Sequence, residues 1–264
     1  MPAGLSPARY SSGVSTARKP QDLYGMYPSP MPVGANYYVN DFNTYAAGDW
    51  TVAPATGTSA LIAGNGGILQ LTTGAVSGNG QGNAQTPVSY AFTPGYQTWF
   101  SINFTNALNN IPNWIVGLTA GGASAPTQGA YFTKATASRN VQFVLKQGAT
   151  TTVSPVPLTN AAQDAVALQL GIYYDGRPTP TLYIYSSVGL IGNQAQPSPT
   201  AFGQPPVFGG AMVGSMSADP TALGPLTNIP TVNLQPSFFT QTNAAATKTM
   251  VVDYVVAACE ILRF

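Results

Sequence analysis

Eight carboxylates, one thiol and no imidazole make up the reactive inventory of this 264-residue chain. The acids are Asp22, Asp41, Asp49, Asp164, Asp175, Asp219, Asp253 and Glu260, and the thiol is Cys259. Without histidine there is no Ser-His-Asp or Cys-His apparatus and no histidine metal site. A single cysteine excludes an internal disulfide, a zinc-finger framework and a cysteine-ligated iron–sulfur cluster. Cys259 reads instead as a small buried residue near the C-terminal strand. Acid-catalysed glycoside cleavage needs two carboxylates about 5–10 Å apart across one bond, and the chain owns a single glutamate, close to its C-terminus. Asp175 precedes Gly176 in a turn, where its side chain caps the backbone. No catalytic residue and no cofactor are expected.

Paired aromatics are the other candidate chemistry. Tyr37, Tyr38, Tyr173, Tyr174, Tyr183 and Tyr185 come in pairs or alternate pairs. Tyr183 and Tyr185 fall on the strand face opposite Leu182 and Ile184. That face is either a platform on which a sugar ring stacks or a second packed surface.

The composition is unusual in charge. Lys and Arg number 9, Asp and Glu number 8, and together they make 6% of the chain where about 25% is usual. In their place stand 29 Thr, 18 Ser, 17 Asn and 15 Gln. A net charge of +1 argues against a nucleic-acid partner. No apolar run reaches membrane-spanning length, so no membrane partner is expected. The opening MPAGLSPARYSSG lacks an apolar h-region, so no secretory signal is expected. With 44% hydrophobic and 11% aromatic residues, most of the chain can bury a core.

The elements that position these residues are short strands and turns. Phe100, Ile102 and Phe104 alternate with Ser101 and Asn103, and Leu168, Leu170, Ile172 and Tyr174 alternate with Gln169, Gly171 and Tyr173. Leu61-Ile62 and Ile68–Leu71 flank a Gly-Asn-Gly-Gly hairpin signal at 64–67. Asp175-Gly176 turns the chain into 181–185, and 250–264 closes it with Val252, Tyr254 and Val256 in phase. No window shows a helical period. About a dozen such strands imply an all-β sandwich or barrel. The Gly-rich stretch 78–83 lacks the Lys-Ser/Thr follower of a phosphate loop and reads as a flexible sandwich loop.

Three regions result. Residues 1–36 form a Pro-rich basic arm without a core of its own. Residues 37–264 form the sandwich. Within it, 193–237 reads as a long irregular excursion rich in proline, a length of connection that is usually functional or pinned. The arm's Arg9, Arg18, Lys19, Tyr24 and Tyr27 are its candidate partner-binding residues.

Asn40-Asp41-Phe42 near the start, Tyr173-Tyr174-Asp175-Gly176 midway and Val252-Asp253-Tyr254-Val255-Val256 near the end resemble the strand order of the concanavalin A-like, or laminin-G-like, jelly roll. That resemblance implies that the first and last strands pair. Asp41 and Asp253 would then neighbour each other, as edge or turn hydrogen-bonding groups, as part of a calcium site with Asn40 or Asn43, or as a carboxylate pair. The structural role is the one taken, and no metal is expected. The hydrolase branch of that fold carries paired glutamates with an aspartate between them on one strand, a motif this chain lacks.

The package of basic arm, charge-poor jelly roll and Thr/Asn/Gln/Gly-rich strands resembles the capsid decoration (cement) proteins of tailed bacteriophages. The likeness implies a virion location on the outer capsid surface, the major capsid protein as partner and a homotrimer, with the arm clasping neighbours. The alternative is a lectin-like domain that attaches to a cell-surface glycan through Tyr183 and Tyr185.

Overall fold

The computed structural model describes residues 35–63, 67–85, 90–106, 112–153, 158, 161–162, 164–186, 211–218, 222 and 224–260. Along them run β1 (Ala35–Asn40), β2 (Trp50–Ala55), β3 (Thr58–Ile62), β4 (Ile68–Thr72), β5 (Gly80–Gln85), β6 (Thr98–Asn106), β7 (Asn113–Ala120) and β8 (Gln128–Lys134). They are followed by β9 (Gln142–Gln147), β10 (Thr150–Val153), β11 (Leu168–Tyr174), β12 (Leu182–Ser186), β13 (Ala211–Met216), β14 (Gln235–Gln241) and β15 (Thr249–Glu260).

Among the described residues the strands all pair antiparallel and build two sheets, with one isolated parallel bridge between Met216 and Gly224. One sheet runs β13-β12-β11-β6-β15-β4-β3, with β1 also paired to β15. The other runs β10-β9-β8-β7-β14-β5-β2. The molecule is a jelly-roll β-sandwich, as the alternating strands imply. The first and last strands pair, with Tyr37 opposite Ala258 and Asn40 opposite Val255.

Period-two alternation explains the core. Phe100, Ile102 and Phe104 of β6, and Leu168, Leu170, Ile172 and Tyr174 of β11, all point between the sheets and are buried. Val116 and Leu118 of β7, Phe132 of β8 and Phe238 of β14 meet them from the other side. Trp114 stands edge-on to Phe104 at 5.0 Å across the inter-sheet space. Each such side chain contributes about 1.5–3 kcal/mol when fully buried. Cys259 is a buried member of this core, as expected of it.

Three sequence expectations need correction. The Gly-rich stretch at 78–83 is no flexible loop, because 80–85 form β5, buried at every position between β14 and β2. A Cβ at Gly80 would sit 2.7 Å from the Phe239 ring, and one at Gly82 would sit 2.5 Å from the Ala53 carbonyl oxygen. The glycines therefore admit close packing on the outer face. The alternate residues Gln81, Asn83 and Gln85 point inward and find polar partners there. Gln81 donates to Ser59 Oγ at 2.9 Å, Ser59 to Asn83 at 2.8 Å, Asn83 to Tyr45 Oη at 2.9 Å, and Tyr38 Oη to Gln85 at 2.9 Å. Hydrogen bonding makes these buried amides tolerable.

Second, Val252, Tyr254 and Val256 are not in phase. The pairing of β15 with β6 shifts between Val252 and Tyr254. This bulge at Asp253 moves Val255, Ala257 and Cys259 into the core and turns Tyr254 and Val256 outward. Third, two boundaries move: the stretch 193–237 is not irregular throughout, since it holds β13 and the first residues of β14, and the sandwich starts at Ala35, because pairing with β15 draws the last two residues of the expected arm into β1.

Candidate functional site

The described carboxylates take separate partners. Asp175 Oδ1 accepts from the backbone N–H groups of Arg177 (3.2 Å) and Thr181 (2.9 Å), and its Oδ2 lies 3.7 Å from Arg177 Nε. This is the turn-capping role its Asp-Gly context implies. Gly176 follows at φ +64°, where an added Cβ would run into the Tyr96 backbone. Asp164 pairs with Arg139 at 2.6 Å, half exposed, a contact worth up to about 1 kcal/mol. Asp41 lies just past β1 and accepts from Asn43 at 2.7 Å in an exposed position. Asp253 sits at the β15 bulge and accepts from Asn103 at 3.2 Å. The two strands pair as expected, yet each of these two carboxylates has its own amide donor. Among the described residues no three His, Cys, Asp or Glu side chains group together in a metal-holding arrangement.

On the face of the eight-stranded sheet turned away from the core lies an aromatic row. Ala258, Trp99, Tyr173 and Tyr183 stand opposite one another on β15, β6, β11 and β12. Trp99 stacks on Tyr173 at 5.2 Å, and Tyr173 stacks on Tyr183 at 5.6 Å. Tyr185 joins the same cluster beside Gly171. The two tyrosines chosen from sequence do lie opposite Leu182 and Ile184, but the row is a packed surface. Trp99 is 4% exposed, Tyr173 3% and Tyr185 4%. Tyr185 therefore offers no open face to a sugar, and only Tyr183 is part exposed. Burial raises the hydroxyl pKa of both, helped at Tyr183 by the nearby Asp175. Tyr173 is one of the paired aromatics, whereas nothing in the sequence points to Trp99, and only strand register reveals that both stack in the row with Tyr183.

The outer face of the seven-stranded sheet differs. Its positions include Gln142 and Lys146 of β9, Thr133 of β8, Asn113 of β7 and Gln235 and Gln241 of β14. Lys146 is the one charged side chain that the seven strands place on this face. Tyr131 and Phe239 lie here against glycine. Their rings occupy the space a Cβ would take at Gly129 and Gly80.

Lys134 continues the inward phase of β8 and is fully buried, donating to the Ala135 and Ser138 carbonyls at 3.2 and 3.0 Å. Loss of hydration lowers its pKa to about 8; Asp164 opposes this fall and Arg139 adds to it. Arg9, Arg18, Lys19, Tyr24 and Tyr27 of the expected arm lie outside the described residues.

No protein-family model matches the chain. No curated protein matches it either. Solved structures do. A protein of unknown function from Shewanella oneidensis MR-1 is 9% identical, with a TM-score of 0.54, and the match covers 89% of this chain and 91% of that one. A structure titled native glycosidic hydrolase is 12% identical, with a TM-score of 0.51, over 84% of this chain and 94% of its own. A Bacillus licheniformis β-glucanase is 14% identical, with a TM-score of 0.50, over 84% and 97%. At such identities the likeness establishes the concanavalin A-like jelly-roll fold, a fold used by carbohydrate-active proteins, and nothing about this chain's own activity.

Proposed function

We propose that this protein is a non-catalytic structural component of a viral shell, bound to the outer capsid surface as a decoration protein. The observation that supports it is the charge-poor outer face of the seven-stranded sheet, where the strands place one charge, Lys146, among amides, hydroxyls and the apolar Ile115, Tyr131, Val144 and Phe239. The whole chain repeats the pattern, with 9 basic and 8 acidic side chains over 11977 Å² of accessible surface. That is sparse cover for a free protein. Amide and hydroxyl surface suits repeated protein contacts, since it forms hydrogen bonds without the desolvation cost of ions. The major capsid protein and further copies of the chain, arranged as a trimer, are the partners of this reading. The part of the arm that precedes β1, residues 1–34, is its anchor, with Arg9, Arg18, Lys19, Tyr24 and Tyr27 as contacts.

The experiment is localisation. Antibodies raised against the purified chain, applied to particles from the producing culture, are expected to label the outside of intact shells in electron micrographs. Recovery of the chain only in low-mass soluble fractions would refute the proposal.

A second reading, glycan attachment, is favoured by one observation. Tyr183 keeps a part-exposed ring beside the Asp175–Arg177 turn, where the Arg177 side chain is 62% exposed. An aromatic face next to charged donors and acceptors suits a sugar ring. A glycan array probed with the wild-type chain and Tyr183→Ala tests it. Binding that disappears in the variant supports attachment, and an array without hits removes it.

A further inference from the structure

Three buried polar side chains on one layer between the sheets leave four atoms without a hydrogen-bond partner among the described residues. They are Asn106 Oδ1 and Nδ2, Thr240 Oγ1 and Gln81 Oε1. Asn106 is 1% exposed, Thr240 0% and Gln81 2%.

Strand register brings them to the same region. Thr240 of β14 stands opposite Gln81 of β5 on one side and opposite Trp114 of β7 on the other, each about 5 Å away across the sheet. Trp114 touches Phe104 of β6 across the core. Asn106 lies two residues beyond Phe104 on the same face of β6, about 6.6 Å along the strand. Gln81 is tied to the opposing sheet by its bond to Ser59, and Ser59 shares a cross-strand row with Leu71, Met250 and Asn106. The row of Asn106 and the row of Thr240 therefore face each other.

From this arrangement we infer that the layer is an internal hydration site, holding at least one long-lived water hydrogen-bonded to Thr240 Oγ1 and to Asn106 or Gln81. The chemistry matches the ligand. A buried water makes two to four hydrogen bonds and both donates and accepts. The set offers two carbonyl acceptors, one amide donor and one hydroxyl of either sense. The three side chains are uncharged, and the buried cation of the same cross-strand row, Lys134 opposite Trp114, donates to the Ala135 and Ser138 carbonyls, so the set suits a neutral molecule. Left unsatisfied, each such atom carries a desolvation penalty that native cores avoid. The site is independent of the shell-binding reading.

Two measurements test it. In a high-resolution crystal structure of the full chain, density for a water within hydrogen-bond distance of Thr240 Oγ1 and of Asn106 or Gln81 is expected. An empty layer, or one in which these atoms pair directly with each other or with another part of the chain, overturns the inference. The second is Thr240→Val, which keeps the shape and removes the hydroxyl. A hydrated hydroxyl contributes to stability, so a fall in Tm is expected. A Tm that is unchanged or raised overturns the inference, because an apolar replacement of an unsatisfied group is neutral or stabilising. If the variant fails to fold, the wild-type density decides alone.

Discussion

The outer faces of the two sheets both carry aromatic rings, but they support them differently. On the eight-stranded sheet, Trp99, Tyr173 and Tyr183 stack ring on ring across adjacent strands. On the seven-stranded sheet, Tyr131 and Phe239 lie in notches left by glycine, amid threonine, asparagine and glutamine. The first arrangement concentrates apolar area into one thick row, and burial of that row stabilises the fold. The second levels the surface and leaves hydrogen-bonding groups and a single charge, Lys146, to face outward. One face is suited to stability, and the other is the face on which the proposed shell contact rests.

The comparison breaks most readily at Trp99. Trp99→Ala removes the ring on which Tyr173 stacks, and the expected loss is about 3–5 kcal/mol. Urea unfolding followed by circular dichroism would measure it. A loss below about 1 kcal/mol would mean that the row does not pack as a second core.

Alkaline titration addresses the buried ionisable groups. Tyr38 and Tyr254 are raised to about 12, chiefly by burial, and Tyr185, Tyr183, Tyr174 and Tyr131 are raised as well. A tyrosine raised above its unfolded value of about 10 contributes stability that is present below pH 10 and lost as pH climbs through its folded pKa. Lys134 has the opposite sign. Its ammonium is disfavoured in the fold, so stability rises from about pH 8 toward the unfolded lysine pKa. Stability is expected to peak near pH 10, with each buried two-unit shift worth about 3 kcal/mol. Lys134→Met should abolish the rising limb and leave the falling one. A flat profile from pH 8 to pH 12 would contradict both assignments.

Gly80→Ala sharpens the other half of the comparison. Its new methyl meets the Phe239 ring at 2.7 Å, and overpacking of this kind costs about 1–3 kcal/mol. The smallest effect belongs to Gln142→Ala, an exposed position on β9, where a change within about 0.5 kcal/mol is expected. Equal losses at Gln142 and Trp99 would erase the distinction between the faces.

Where one side chain in two is apolar, the fold is legible. The inward residues of β6, β11 and β12 follow from alternation, and the Asp175-Gly176 turn follows from its own residues. What was hidden has physical causes. β5 packs amides inward and glycines outward, the reverse of the usual pattern, and only the facing Ser59, Tyr45 and Tyr38 make its buried polar atoms acceptable. β14 carries Pro236 near its start, opposite Leu118 of β7 and one residue before the pairing with β5 begins, and proline normally argues against a central strand. At Asp253 a bulge reverses the phase of a strand that is apolar at nearly every position from Met250 to Cys259, so its letters do not reveal the switch. The aromatic row was half legible. Tyr173, Tyr183 and Tyr185 advertise themselves by pairing and spacing, whereas Trp99 joins them through register alone.

The central claim, a proposal, is that the chain is held on a shell and that residues 1–34, which precede β1, anchor it. An arm of that length can reach about 120 Å when extended, further than the width of its own domain. The most direct measurement compares the full chain with a truncation beginning at Ala35, the first residue of β1, in two assays: thermal unfolding and co-sedimentation with purified shells. The account predicts a nearly unchanged Tm and loss of shell binding. A truncated domain that unfolds, or that sediments with shells as well as the full chain does, would contradict it.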